Sequence, residues 1–275
     1  LRYRRGITWA GKSIGIVGVG QCGRRVERIA RALGLEPVLC DPPRARAEGG
    51  AAFRPLGELA ACDVVTVHVP YTRDGIDRTD AMIDARFLAA MAPSAVLFNT
   101  CRGEVVDEAA LTGALRAGRL AAAVIDVWRG EPSIDQALQA AATIATSHIA
   151  GYSYDGKVNG TAMMHAALCA FAGVAPHWDA TAVLAASPRV VELSAVPDDV
   201  ESVLAGLLTD AYPIEADAAR LRALLDQPTA VRAAGFRDLR KHYPRRREFG
   251  STRVVLPSGA GALAARLRQI GFQVG

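Results

Sequence analysis

The sequence predicts an α/β protein: a doubly wound parallel sheet covered by helices on both faces, followed by a small α+β domain. Three observations predict this. From Ser13 to about His148, short β-branched apolar runs alternate with segments of helical period. Most of those runs are apolar on both faces, as strands buried on both faces are. After Gly151 the rhythm breaks, and from Val190 a second, shorter alternation begins.

The elements follow in order. "SIGIVGVG" is the first strand; Val26, Ile29, Ala30 and Leu33 then recur at i, i+3, i+4 and i+7 on one helix face, and Gly34 supplies a stop. "EPVLCD", "DVVTVHVP" and "SAVLFNTC" are the next three strands. A helix runs from Asp107, a suitable N-cap, through Leu111 and Leu115 to Gly118. "AAVIDVW" and "TIATSH" complete the sheet. "GKVNGTAMMHAALCAFAG" reads as one helix and "VAPHWDATAVLAASP" as a linker. Then come "RVVELSAV" as strand, "DDVESVLAGLL" as helix, "TRVVLP" as strand, "GALAARLRQIG" as helix and a final "FQV". The domain boundaries expected are 1–150 for the nucleotide domain, 151–188 for a helix and linker, and 189–275 for the small domain.

Composition narrows the function classes. A chain of 275 residues that is 51% hydrophobic has material for a large core without a disulfide framework. Its five cysteines are odd in number and contain no CxxC pair, which favours reduced core thiols in a cytoplasmic setting and argues against a metal site. No run reaches the ~20 apolar residues of a membrane helix, and "LRYRRGITWAGK" has no signal core. The net charge of +4 is modest but clustered, early at Arg2, Arg4, Arg5, Arg24, Arg25, Arg28 and Arg31 and late at Lys241, Arg245, Arg246 and Arg247. Such clusters suit phosphate-bearing small molecules. No aromatic platform or helix-turn-helix accompanies them, so nucleic acid is not expected as a partner.

Gly18-x-Gly20-x-x-Gly23 lies between a strand and an amphipathic helix, with Asp41 closing the next strand at the spacing of a dinucleotide fingerprint. Gly18 permits the tight turn, Gly20 lets backbone approach a pyrophosphate, and Gly23 lets helix and strand pack closely, while the helix N-terminus offers N–H groups to the anion. Asp41 accepts from ribose hydroxyls and repels a 2′-phosphate, which selects NAD over NADP. Arg44 and Arg46 read as solvated loop charges.

Three further signatures fall at the C-terminal ends of predicted strands: "NTCRGEVVDEAAL" with Arg102, "IDVWRGEP" with Asp126 and Glu131, and "TSHIAGY" with His148. With the glycine turn ahead of them, they resemble the D-isomer-specific 2-hydroxyacid dehydrogenases, in which an Arg-Glu-His trio follows the fingerprint in that order. The side chains suit the chemistry. His148 takes the hydroxyl proton while hydride passes to the nicotinamide, Glu131 orients and stabilises the imidazolium, and Arg102 forks onto the substrate carboxylate. The resemblance also implies that Gln21, Cys22, Val69, Thr100, Cys101, Asp126 and Gly151 line the cofactor site and that Tyr152 lies near the substrate. It further implies a small phosphorylated hydroxy acid as substrate, a homodimer, and residues 189–275 as the dimerisation domain. The alternatives are another dehydrogenase of the family, such as the phosphoglycerate enzyme, and a non-catalytic NAD(H)-sensing interaction protein.

Two departures shape the expectation. Relatives carry most of a substrate domain ahead of the fingerprint, and Leu1 stands just before it, so the chain reads as a fragment that binds NAD and turns over weakly or not at all, with 151–188 the returning helix and linker of that mostly missing domain. Val69 stands where a polar residue is usual. The basic segment from Arg237 to Arg247 is either a solvated or dimer-contact face or a reach toward substrate phosphate. His68, His165, His177 and His242 are given no role.

Overall fold

The computed structural model describes residues 8–184 and 189–275; Arg2, Arg4, Arg5 and the last four residues of the expected linker lie outside them. The chain divides into two compact units, Leu1–Ile149 with Ile214–His242, and Ala150–Pro213 with Tyr243–Gly275.

The first unit is built on six parallel strands, β1 (Ser13–Val17), β2 (Glu36–Cys40), β3 (Val64–Val67), β4 (Val96–Asn99), β5 (Ala122–Ile125) and β6 (Ile144–Ala145), in the order β2-β1-β3-β4-β5-β6. Around it are helices α1 (Gln21–Leu33), α2 (Pro42–Glu48), α3 (Ala85–Ala90), α4 (Glu108–Arg116) and α5 (Gln136–Ala141). All six expected strands are present. Gly34 ends α1 in the left-handed conformation, and the Asp107 carboxylate caps α4 by accepting from the Ala110 amide. On one face of the sheet Val65, Val67, Leu97, Ala123 and Ile125 join Leu88, Leu111 and Leu138 in the main core. On the other, Ile14 and Ile16 pack with Ala30 of α1.

The register decides where a ligand can sit. Val17 is level with Cys40 and Val67, Val67 with Asn99, Asn99 with Ile125, and Ile125 with Ala145. Gly18, Asp41, His68, Thr100, Asp126 and Thr146 therefore leave the sheet in one row, at the carboxyl edge where open α/β sheets bind ligands.

The small domain departs from expectation in two ways. Its sheet, β7 (Arg189–Glu192), β8 (Thr252–Val255) and β9 (Gln273–Val274), is parallel rather than of α+β type, because a helical crossover follows β7 and β8 alike. The expected 189–275 boundary also encloses a segment that belongs elsewhere. Helices Ile214–Arg222 and Thr229–Lys241 pack into the first unit: Leu221 and Phe236, each 1% exposed, join the main core, and Ala218 packs with Val124 and Ile144. Polar contacts reinforce the docking, since Gln139 donates to the Leu221 carbonyl and Arg232 to that of Ile134. Burying one side chain such as Phe236 contributes about 2 kcal/mol, which favours docking over continuity with the small domain.

Within the second unit, helix Tyr154–Ala172 is capped by Ser153, and the late basic residues are engaged. Arg247 donates through Nε to both oxygens of Asp155, Arg246 donates to the Ala150 carbonyl, and Arg245 stacks on Tyr154. Among the described residues no helix is long and apolar enough to cross a membrane, and no group of side chains has metal-ligand geometry.

Candidate active site

At the β1 end the edge is made of backbone. Gly18 has φ +84°, and a Cβ there would meet the His68 carbonyl oxygen at 2.7 Å; a Cβ on Gly23 would run into the Gly18 carbonyl. Gly20 faces open space. It is also the N-cap of α1, a helix with no side-chain cap and no acidic residue in its first turn, whereas α2 to α5 are each capped by an aspartate. The first-turn N–H groups are thus left for an anion, and the space before them suits a pyrophosphate. Gln21 and Cys22 are exposed on that first turn.

Asp41 does more than the fingerprint requires. One oxygen accepts from the Arg44 amide as the cap of α2 and the other from the Val19 amide at 2.8 Å, so the carboxylate also holds the glycine turn. Carboxylate lone pairs remain for ribose hydroxyls. Arg44 is not a solvated loop charge, because it pairs with Glu48, donates to the Val19 carbonyl and lies over Phe53. Arg46 pairs with Asp77. Asp-Pro-Pro opens α2, and the helix lines these side chains up.

At the β4 to β6 ends the edge is made of side chains. The Nδ1–H of His148 donates to Oε2 of Glu131 at 2.8 Å, while Oε1 of the same carboxylate accepts from the Trp128 amide at 2.9 Å. Both groups are half-buried, 33% and 19% exposed at the side chain, and Nε2 of His148 is the ring nitrogen that Glu131 does not engage. His148 itself has φ +57°, an uncommon conformation for a non-glycine residue, held by its amide on the Asp126 carbonyl. Asp126 is 3% exposed, and its Oδ1 takes both the Thr146 hydroxyl and the Ile149 amide, so it braces the histidine loop from within.

Arg102 is exposed, and its guanidinium donates to the Cys101 carbonyl at 2.6 Å. Its turn is fixed by Asn99, buried at 1% exposure, which donates to the Arg102 carbonyl and accepts from the Cys101 amide. Cys101 is buried, and burial pushes its thiol up from the ordinary range. Gly103 packs so closely on the Trp128–Arg129 backbone that a Cβ would overlap it, which joins the Arg102 turn to the Glu131 loop. Val69 and Thr100 are half-buried along the same row. Gly151 and Tyr152 belong to the second unit, where Tyr152 packs edge-on against Tyr243 and under Lys157.

Several contributors were not singled out from the sequence. Glu108 accepts from the Arg129 amide at 2.6 Å, and burial pushes its carboxyl up to about 7. His68, close to the Thr66 hydroxyl, is pushed down to about 4 by burial. Asn99, Thr146 and Arg240 complete the set. The "VDEAAL" and "FNTC" runs contained Glu108 and Asn99, but a local pattern does not show which turn a side chain will pin.

The uncapped glycine turn after β1 and the histidine–glutamate pair near the ends of β5 and β6 thus lie along one carboxyl edge of the sheet, the place where open α/β sheets bind ligands. Residues 2–150 match the family model described as D-isomer specific 2-hydroxyacid dehydrogenase, NAD binding domain. The chain belongs to that family. Among curated proteins it is 44% identical to erythronate-4-phosphate dehydrogenase of Salinibacter ruber, over 90% of this chain and 66% of that protein. To the enzyme of the same name from Pseudomonas aeruginosa it is 40% identical, over 98% of this chain and 71% of that protein. The NAD-complexed D-isomer specific 2-hydroxyacid dehydrogenase of Lactobacillus delbrueckii superposes with a TM-score of 0.51 at 26% identity, covering 60% of this chain and 54% of that one. Residues 186–271 match a domain of unknown function. The chain spans about two thirds of the length of these curated relatives and about half that of the solved structure.

Proposed function

We propose that the protein oxidises 4-phospho-D-erythronate to its 2-oxo product with NAD, a step of pyridoxal phosphate biosynthesis implied by the names of its relatives. The observation that carries the reading is the His148–Glu131 pair, aimed from the same sheet edge as the glycine turn. The cofactor, when bound, supplies the hydride acceptor. Gly18, Gly20 and Gly23 with the first turn of α1 would hold its pyrophosphate, Asp41 its ribose, and Val69, Thr100, Cys101 and Asp126 would line the remainder.

Each residue then has one task. His148 accepts the C2 hydroxyl proton at Nε2, and the positive charge that appears on the ring is met by Glu131 at Nδ1. Arg102 exchanges its bond to the Cys101 carbonyl for a two-pronged bond to the substrate carboxylate and polarises the reacting oxygen.

The second unit is proposed as the dimer-forming part. In support, Met163, Met164, Leu168 and Phe171 are exposed on helix Tyr154–Ala172, and Val190 is exposed on β7 at the open edge of the small sheet. Sedimentation of a species of twice the chain mass would support this, and a monomer at micromolar concentration would refute it.

The test of function is a substrate panel read by the absorbance of reduced nicotinamide. 4-Phospho-D-erythronate is expected to be oxidised, and His148→Gln is expected to abolish turnover while NADH binding persists. Turnover of 3-phosphoglycerate instead would assign the chain to another enzyme of the family. NADH binding without turnover of either would favour a nucleotide-sensing role.

A further inference from the structure

Glu131 serves two cations. The oxygen that accepts from His148, Oε2, also lies 4.0 Å from a guanidinium nitrogen of Arg240. Arg240 sits in the last turn of helix Thr229–Lys241, far outside the stretch matched by the NAD-binding family model. That helix is fixed where the contact needs it. Phe236 is buried in the core of the unit, and Arg232 donates at 2.7 Å to the carbonyl of Ile134, a residue of the loop that carries Glu131. Helix and loop are therefore tied together, and Arg240 is held over the carboxylate with its side chain 31% exposed.

We propose that Arg240 is a positioning residue for the proton acceptor: it shares the Glu131 carboxylate with His148 and thereby keeps the imidazole neutral, ready to take a proton, at lower pH than Glu131 alone would allow. The proposal rests on the dehydrogenase reading for its purpose but not for its measurement. When His148 is neutral, Glu131 and Arg240 face each other as an ion pair at 4.0 Å. When His148 is protonated, two cations draw on the same oxygen of one partly buried carboxylate, Oε2 of Glu131, and repel each other.

The other charged groups near the pair are engaged elsewhere. Asp126, at the end of β5, holds Thr146 and the Ile149 amide; Arg102, at the end of β4, donates to the Cys101 carbonyl. Glu108 of α4 takes the Arg129 amide, and Arg129 reaches Asp80 and the Glu104 carbonyl. On the helix of Arg240 itself, Arg232 holds Ile134 and Asp238 pairs with His242.

The experiment is a histidine-specific NMR titration of the full chain, with the His148 resonance identified by its loss in His148→Gln. Removing the charge in Arg240→Gln is expected to raise the His148 midpoint by about one pH unit, a tenfold change in proton affinity, while Arg240→Lys stays within about 0.3 unit of the parent. The acidic limb of kcat/KM should move upward by the same amount. Arg240→Met, which keeps the apolar stem, reads the same quantity should the Gln variant fail to fold. A His148 midpoint unchanged in the charge-free variant overturns the proposal, as does a loss of activity without a shift, which marks a purely structural role. If the midpoint shifts but no variant or parent turns over hydroxy acid, the positioning inference stands and the dehydrogenase reading falls.

Discussion

At the β1–β2 side of the sheet the edge that meets ligand is shaped by missing side chains, with Gly18 at φ +84° and Gly23 against the Gly18 carbonyl. At the β4–β6 side the same edge is crowded with side chains that hold one another: Asn99 the Arg102 turn, Asp126 the His148 loop, Glu131 the imidazole itself. The first arrangement places a rigid anion cradle and asks only that nothing intrude. On the proposed function the second places a proton acceptor, which has to be aimed and electrostatically tuned, and each of these members carries a partner. The two ends therefore fail differently when altered.

The largest effect is expected where the two turns of the side-chain end meet. Gly103→Ala would drive a Cβ into the Trp128–Arg129 backbone, and loss of about 3 kcal/mol of stability is expected by chemical denaturation. A change under about 0.5 kcal/mol would show that these turns are not packed as described.

A second comparison uses pH, through one group near each end that titrates between pH 4 and 7, with shifts of opposite direction. His68, behind the glycine turn, titrates at about 4 when folded against an ordinary 6.5. The unfolded chain binds that proton first, so its contribution is lost as pH falls from 6.5 to 4, by up to about 3 kcal/mol. Glu108, bracing the Glu131 loop, titrates at about 7 when folded against an ordinary 4.5. The unfolded chain releases that proton first, so stability declines as pH rises from 4.5 to 7, by about 1–2 kcal/mol once its partial exposure is allowed for. His68→Gln should remove the acid-side loss and Glu108→Gln the neutral-side loss in thermal unfolding at pH 5 and 7.5. Parallel curves for variant and parent would contradict the assignment.

The smallest expected effect is at Asp41. Asp41→Ala removes the cap of α2 and the bond to Val19, at a cost of about 1 kcal/mol in stability. It should also narrow the preference for NAD over NADP, measured as the ratio of their dissociation constants. An unchanged ratio would leave Asp41 a cap alone.

The difference between the two ends also explains what was readable before folding. A backbone cradle must be written in consecutive residues, so Gly18, Gly20, Gly23 and the strand-closing Asp41 announce themselves, as do the six short apolar runs that form the strands. Glu131 and His148 were legible as residue types at strand ends, but their bracing is not, since it depends on residues that meet only once the strands are level. Arg240 is the extreme case. The helix that carries it has an ordinary amphipathic sequence, and nothing local tells that Phe236 will be buried in the larger unit rather than beside its neighbours in the small domain. The parallel pairing of β7, β8 and β9 was likewise hidden until their crossovers were seen.

The central claim is that His148 and Glu131 work as one proton acceptor, and Glu131→Gln tests it most directly because it leaves shape and cofactor contacts in place. The account predicts that kcat for 4-phospho-D-erythronate falls by about 10²–10³-fold while the NADH dissociation constant stays within about twofold. A Gln variant that keeps the parent's kcat would contradict it.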